Sequence, residues 1–413
     1  MTTLITNIKT LFGTREEHAL LRGAELSRLP FIDDAFVLVE GGIIAAYGPM
    51  YELDEQVPNQ PPAQIDAHGQ LVLPAWCDSH THLVFAASRE EEFIDKLKGA
   101  SYADIAAKGG GILNSAGKLN AMSEDELFNK AWKRLEQASK YGTASIEIKS
   151  GYGLTPEGEL KMLRVIKRLK ERSPLNIKAT FLGAHAFPKI YADDQEAYVD
   201  LIIHEMLPAI GNEKLADYID VFCEKGFFSV EDMEKICAAG KHYGLKPKLH
   251  VNQLNSIGGI QAAVRMEALS ADHLETMTGE DIEALRHSNV IGTLLPTAAF
   301  FLRMAYQPAR ALIDANCAIA LASDFNPGSS PNSNMNLVLA LSCIQMKMLP
   351  EEAVNAATIN GAYAMGVESI AGSISIGKGA DLIFTKPVPS LAYLPYAFGD
   401  DHIDKVMVKG QFV

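Results

Sequence analysis

The sequence predicts an α/β protein, a (β/α)8 barrel with a small discontinuous β-sandwich domain built from both termini. Three observations carry that expectation. Apolar, strand-like runs alternate with helical patterns eight times across about 300 residues. Polar residues recur at the C-terminal ends of those runs, where a barrel gathers its site. Short strands with glycine turns flank the array on both sides, and neither flank has enough apolar residues to fold alone. A doubly wound sheet would also alternate. The barrel is favoured because its strand ends converge, and the polar residues fall at those ends.

Residues 1–68 form the first part of the sandwich. Residues 36–48 are two apolar runs around Gly41-Gly42, a hairpin pattern. A proline-rich connector, Pro58-Asn59-Gln60-Pro61-Pro62, leads to the barrel, residues 69–371. Barrel strands are expected at 71–78, 143–150, 176–185, 218–223, 245–251, 268–273, 289–295 and 318–324. Ser123-Glu124-Asp125-Glu126 is a capping signal for a helix running to about Tyr141, and Thr155-Pro156 opens another with proline at its first position. Residues 83–122 are too long for a plain connection. They hold Ser88-Arg89, Ser101-Tyr102 and Gly109-Gly110-Gly111-Ile112, and they suit a lid over the barrel mouth. Residues 372–413, short strands with glycine turns, complete the sandwich.

Composition narrows the function. Lys plus Arg total 37 against 51 Asp plus Glu, a net charge of −14. An acidic surface argues against nucleic acid and anionic membranes as partners. A small anionic substrate remains compatible, because one local arginine overrides net charge. Large barrels often associate, which leaves room for a homodimer. Five dispersed cysteines without C-x-x-C spacing suggest reduced thiols in a cytoplasmic protein. The N-terminus lacks a basic start and apolar core, so no signal peptide is expected.

The strand ends carry the chemistry. In Asp78-Ser79-His80-Thr81-His82, the i and i+2 side chains of an extended segment project together. Later strands end in His185, His250, His273 and Asp324. Any one of these is better explained by an ordinary hydrogen bond. Jointly they are hard to explain as packing, since such groups are costly to bury without partners. His80, His82, His250 and Asp324 are the expected ligands of one metal ion. Nitrogen and oxygen donors without cysteine suit Zn2+ or iron, as Fe2+ or Fe3+. A position left open for water would supply hydroxide for attack on a carbonyl carbon. Asp324 can accept the water's proton, and His273 is expected to orient or relay it.

With these residues the sequence resembles the amidohydrolase superfamily, whose fold is a metal-dependent hydrolase barrel. The similarity tightens at Lys149-Ser150-Gly151-Tyr152-Gly153-Leu154 and Asp324-Phe325-Asn326-Pro327-Gly328-Ser329-Ser330-Pro331. These runs resemble the branch that opens the ring amide of 4-imidazolone-5-propanoate. The resemblance implies that Arg89 holds the substrate carboxylate, as a guanidinium fork suits it. It further implies that Tyr102, Tyr152 and His185 contact the substrate and that Asn326, Gly328 and Ser329 line the opposite wall. A competing role for Arg89 is a salt bridge to Glu90, Glu91 or Glu92. Several relatives carry glutamate where this chain has Gln253. An amide cannot be a general base, so Gln253 would hydrogen-bond the ring and the base role falls to Asp324 and His273. A metal-dependent deaminase of an aminated heterocycle is the alternative on the same barrel, and Gln253 counts against it.

Overall fold

A computed structural model of the chain describes residues 2–17, 19–99 and 110–413. Two eight-stranded sheets organise it. The first joins the chain ends. It comprises β1 (Thr2–Phe12), β2 (Phe31–Glu40), β3 (Ile43–Pro49), β4 (Gln64–Asp66) and β5 (Leu71–Pro74) from the N-terminal side. The C-terminal side adds β14 (Leu382–Thr385), β15 (Ile403–Val408) and β16 (Gln411–Phe412). β14 pairs antiparallel with β5, which lies parallel to β1, so the two termini share one hydrogen-bonded sheet.

The expected hairpin is β2–β3, and Gly41 and Gly42 both take positive φ, 59° and 88°. A two-residue turn of this kind matches the twist of the strands it joins and favours glycine at both positions. The Gly42 carbonyl accepts from Ala380 N at 2.9 Å, and Gly410 N donates to Ala380 O at 3.1 Å. These bonds bring the ends of the sheet together over a core of Ile5, Ile8, Val37, Val72, Leu382 and Phe384.

The second sheet is the barrel: β6 (Trp76–Asp78), β7 (Thr143–Lys149), β8 (Asn176–Ala184), β9 (Tyr218–Cys223), β10 (Lys246–Val251), β11 (Ser270–His273), β12 (Ile291–Leu294) and β13 (Ile319–Leu321). All neighbours are parallel, in chain order. Closure comes beyond the ends of β6 and β13. Asp324 N donates to His80 O at 3.0 Å, and His82 N donates to Phe325 O at 2.9 Å. Asp78 reinforces it, accepting from Ser323 N at 2.9 Å and Ser323 Oγ at 2.6 Å. The seam that closes the barrel therefore carries His80, His82 and Asp324.

The expected strand 71–78 is two strands. Leu71–Pro74 belongs to the terminal sheet, and only Trp76–Asp78 belongs to the barrel. An unbroken apolar run conceals this exchange. At the break Ala75 N donates to Asp381 O of the terminal domain and Trp76 N to Gly142 O of the barrel, each at 2.9 Å. The helix signals are realised: Glu124–Lys140 starts on a Ser123 capping box, and Pro156–Arg172 has Thr155 accepting from Gly158 N. Among the described residues, no helix is long and apolar enough to cross a membrane. All five cysteines are free.

Candidate active site

Alternation along the barrel strands sets the site. In β7, Ile146 and Ile148 join the apolar core around the barrel, while Ser145, Glu147 and Lys149 lie on the other face. At the C-terminal mouth the inward groups become His80, His82, His250 and Asp324. His82 Nε2 lies 3.2 Å from His250 Nε2. Asp324 Oδ1 lies 3.5 Å from His80 Nε2 and 3.6 Å from His82 Nε2. All four residues are at most 3% exposed.

The imidazoles are aimed from behind. Asp272 Oδ2 accepts from His80 Nδ1 at 2.7 Å. Asp220 Oδ2 accepts from His250 Nδ1 at 2.7 Å, and Asp220 Oδ1 accepts from the His250 backbone N at 3.0 Å. A carboxylate accepts, so both Nδ1 atoms carry the proton and both Nε2 atoms present lone pairs inward. Burial, reinforced by Lys149 and the neighbouring imidazoles, pushes His80 well below the ordinary histidine range, and burial with its neighbours does the same to His82 and His250. Burial also raises Asp324, to about 7, against the opposing pull of His273. His273 stands beside the cluster, its ring centroid 5.1 Å from that of His250. Burial works to lower its pKa, but Glu275, 3.4 Å away, outweighs that and holds it above the ordinary value. His273 and Asp324 take φ of 90° and 49°, left-handed backbone that non-glycine residues adopt at a cost of about 1–3 kcal/mol.

A cavity of about 540 Å3 opens over the cluster. Arg89, Tyr152, His185, Gln253, Asn326, Gly328 and Ser329 all line it, together with His82, His250, His273 and Asp324. Tyr102 lies outside the described residues. His185 stacks on His82 with ring centroids 5.2 Å apart and planes at 16°. Its Nδ1 donates to Gly151 O at 2.9 Å, which leaves Nε2 as an acceptor. Burial pushes its pKa down to about 4, so the ring is neutral at pH 7.

Arg89 makes the salt bridge weighed for it, to Glu92. Its Nε and Nη2 donate to Glu92 Oε2 at 2.8 and 2.6 Å, and the same guanidinium lines the cavity. A Cβ on Gly328 would lie 2.3 Å from Arg89 Nη1, so that glycine leaves room for the guanidinium. Asn326 uses its side chain to shape the loop: Oδ1 accepts from Gly328 N and Ser329 N, each at 2.8 Å.

The amidohydrolase family profile matches residues 71–413. A curated protein of Flavobacterium johnsoniae named imidazolonepropionase is 55% identical over 414 residues, covering 100% of both chains. The chain belongs to the amidohydrolase family. A second imidazolonepropionase, from Parabacteroides distasonis, is 44% identical and covers 94% of both chains. Solved structures share the fold. Guanine deaminase of E. coli superposes with a TM-score of 0.74 at 14% identity, covering 100% of this chain and 99% of that one. An adenosine deaminase from Xanthomonas campestris with bound zinc gives 0.70 at 17%, covering 99% and 92%. At these identities the likeness is one of fold.

The donor set fits the divalent metal of an amidohydrolase. His80 Nε2 is buried without a hydrogen-bond partner among the described residues, although the site is built to expose its lone pair. His80, His82 and His250 bring ligand atoms within 4.8 Å of one another, as do His80, His273 and Asp324. Three neutral imidazoles and a carboxylate, desolvated together, form a nest for a cation.

Several residues of the site received no role in the sequence reading, although Lys149 opens one of its motifs. Asp220, Asp272, Glu147, Lys149 and Lys248 form a fully buried charged layer beneath the histidines. Their available signal is the strand alternation Ser145-x-Glu147-x-Lys149, Lys248-x-His250 and Ser270-x-Asp272, which turns charge toward the barrel interior. Glu159 is another. It accepts from Gly151 N, Gly153 N and Leu154 N at 3.0, 2.8 and 2.9 Å and so shapes the loop that carries Tyr152.

Proposed function

We propose that the chain hydrolyses the ring amide C–N bond of 4-imidazolone-5-propanoate to N-formimino-L-glutamate, the third step of histidine degradation to glutamate. The observation that carries this is one cavity with Arg89 on its wall and the histidine–aspartate cluster on its floor. A ring amide with an anionic tail has complementary groups for both ends. The full-length likeness to proteins named imidazolonepropionase supports the same substrate.

His80, His82, His250 and Asp324 would hold one metal ion, Zn2+ or iron, as their donor types suit either. Such an ion supplies an activated water and polarises the ring carbonyl. The chain's own residues do the rest. Arg89 Nη1, facing Gly328 and away from Glu92, takes the propionate carboxylate. His185 Nε2 accepts from a ring N–H, because its Nδ1 proton is committed to Gly151 O. Tyr152 packs against the ring, and the Gln253 amide reaches it from another wall. Asn326, Gly328 and Ser329 form the side opposite His185. Asp324 takes the proton of the attacking water as its oxygen bonds to the carbonyl carbon. When the C–N bond breaks, the proton passes to the departing ring nitrogen, with His273 held by Glu275 beside the path. The free, mostly buried cysteines support a cytoplasmic location.

The test is incubation of purified protein with fresh imidazolone propionate, following loss of its ultraviolet absorbance. A parallel assay measures ammonia released from purine and pyrimidine amines. Loss of the imidazolone without ammonia release supports the proposal. Ammonia release with a stable imidazolone overturns it in favour of a deaminase.

A further inference from the structure

Behind the histidines lies one cation that no step above uses. Lys149, at the end of β7, is fully buried. Its Nζ donates to Glu147 Oε1 at 2.8 Å and to Asp220 Oδ2 at 2.9 Å, and it lies 3.6 Å from Asp272 Oδ2. These last two oxygens are the same ones that accept from His250 Nδ1 and His80 Nδ1, at 2.7 Å each. A single ammonium therefore bridges the two carboxylates that aim two imidazoles on opposite sides of the barrel. Asp220 and Asp272 stand on β9 and β11 and have no other shared cationic partner among the described residues. Lys248, the second buried cation, meets Glu147 Oε2 at 3.3 Å and donates to Ser270 Oγ and Ala364 O at 2.8 Å. Ser270 Oγ in turn donates to Asp272 Oδ1 at 2.5 Å, so Lys248 bears on Asp272 from behind, while Lys149 alone of the two meets both Asp220 and Asp272.

We propose that Lys149 is a positioning residue of the metal centre: by clamping Asp220 Oδ2 and Asp272 Oδ2 together it fixes the orientation of His250 and His80 as one unit. The physical case is geometric. Two carboxylates brought this close to one point repel, and each can turn its imidazole only as far as its own oxygen is held. With Lys149 in place, both acceptors are fixed and both Nε2 lone pairs meet. Without it, Asp220 and Asp272 move apart and the two Nε2 atoms lose their common focus. Residues behind metal ligands typically contribute 10- to 100-fold in metal affinity.

The inference rests on the metal-centre reading, and the experiment separates the two. Zn2+ retention is measured in the wild-type protein and in Lys149→Met and Lys378→Met, by the rate of transfer to a chromogenic chelator, with far-ultraviolet circular dichroism as the check on folding. Wild-type protein that holds no Zn2+ overturns the metal-centre reading itself. If wild type holds it, folded Lys149→Met is expected to lose Zn2+ at least tenfold faster. Lys378→Met removes a buried ammonium that donates to Ala371 O and Ser373 Oγ and to neither histidine-bound carboxylate, and it is expected to stay within threefold of wild type. A Co2+-loaded Lys149→Met protein should also show an altered visible spectrum, which a purely structural role would not produce. Equal Zn2+ loss in the two lysine variants, or none in either, overturns the clamp. Should Lys149→Met not fold, the charge-balanced Lys149→Met/Glu147→Gln pair takes its place, since Glu147 touches neither histidine. Failure of that pair to fold also overturns the proposal, because Lys149 would then be a requirement of folding.

Discussion

Replacing Arg89 by methionine tests how the cavity selects an anion. Arg89 and Glu92 are 10% and 11% exposed at their side chains, so their interactions are not weakened as a surface pair's would be. The substitution has two effects. It removes the charge-assisted hydrogen bond to the substrate carboxylate, about 1.5–3 kcal/mol. It also leaves Glu92 without its cation, while Gly111 N, donating to Oε1 at 2.9 Å, keeps that carboxylate in place. Two negative charges ~7 Å apart at an effective dielectric of ~20 repel by about 2 kcal/mol. The sum, about 4 kcal/mol, corresponds to a fall in kcat/KM of about 10^3-fold. Because the tail is held alike before and during the reaction, most of that should appear in KM. Arg89→Met/Glu92→Gln removes the repulsion as well and should recover about 30-fold relative to the single variant. Initial rates over a range of imidazolone propionate concentrations give both numbers. An unchanged KM in Arg89→Met would show that the carboxylate sits elsewhere. A double variant no better than the single would show that Glu92 does not face the anion.

Three further outcomes follow from the same geometry. His80→Ala should abolish bound metal and ring hydrolysis together, measured by elemental analysis and absorbance loss on one preparation; full activity in the metal-free variant would sink the mechanism. Glu159→Gln replaces one of the two acceptor oxygens that serve three backbone N–H groups of the Tyr152 loop, so it should lower unfolding stability by about 1–3 kcal/mol in urea titrations and raise KM. Unchanged values of both would remove Glu159 from the site. Gly328→Ala places a methyl 2.3 Å from Arg89 Nη1 and should raise KM toward that of Arg89→Met. A KM equal to wild type would mean that the guanidinium moves aside freely.

Much of the fold and the front of the site were legible in the sequence, for identifiable reasons. The barrel strands are buried on both faces, so they read as apolar runs bounded by turns, and their ends are marked by His250, His273 and Asp324. His80 and His82 are two apart in an extended segment, so their shared direction is a local property. The strand 71–78 shows the limit. Leu71–Pro74 and Trp76–Asp78 are both wholly buried, and nothing in an apolar run states which of two sheets each half joins. That choice is made by Asp381 O and Gly142 O, which lie far along the chain.

The rear of the site was hidden for a different reason. Lys149, Asp220 and Asp272 are ordinary charged residues in sequence, and by composition they would be assigned to solvent. Their pairings join positions 30 and 192 residues apart, from Asp220 to His250 and from Asp272 to His80. Only closure of the barrel brings them together. Burial of these charges is tolerable because the layer is nearly self-compensating, with Glu147, Asp220 and Asp272 facing Lys149 and Lys248. The three carboxylates exceed the two ammonium groups by one, and the metal-binding face sits directly above. The negative excess in the layer favours a cation held by the otherwise neutral imidazoles, so residues to which the sequence assigned no role supply part of the field that the ligand residues use.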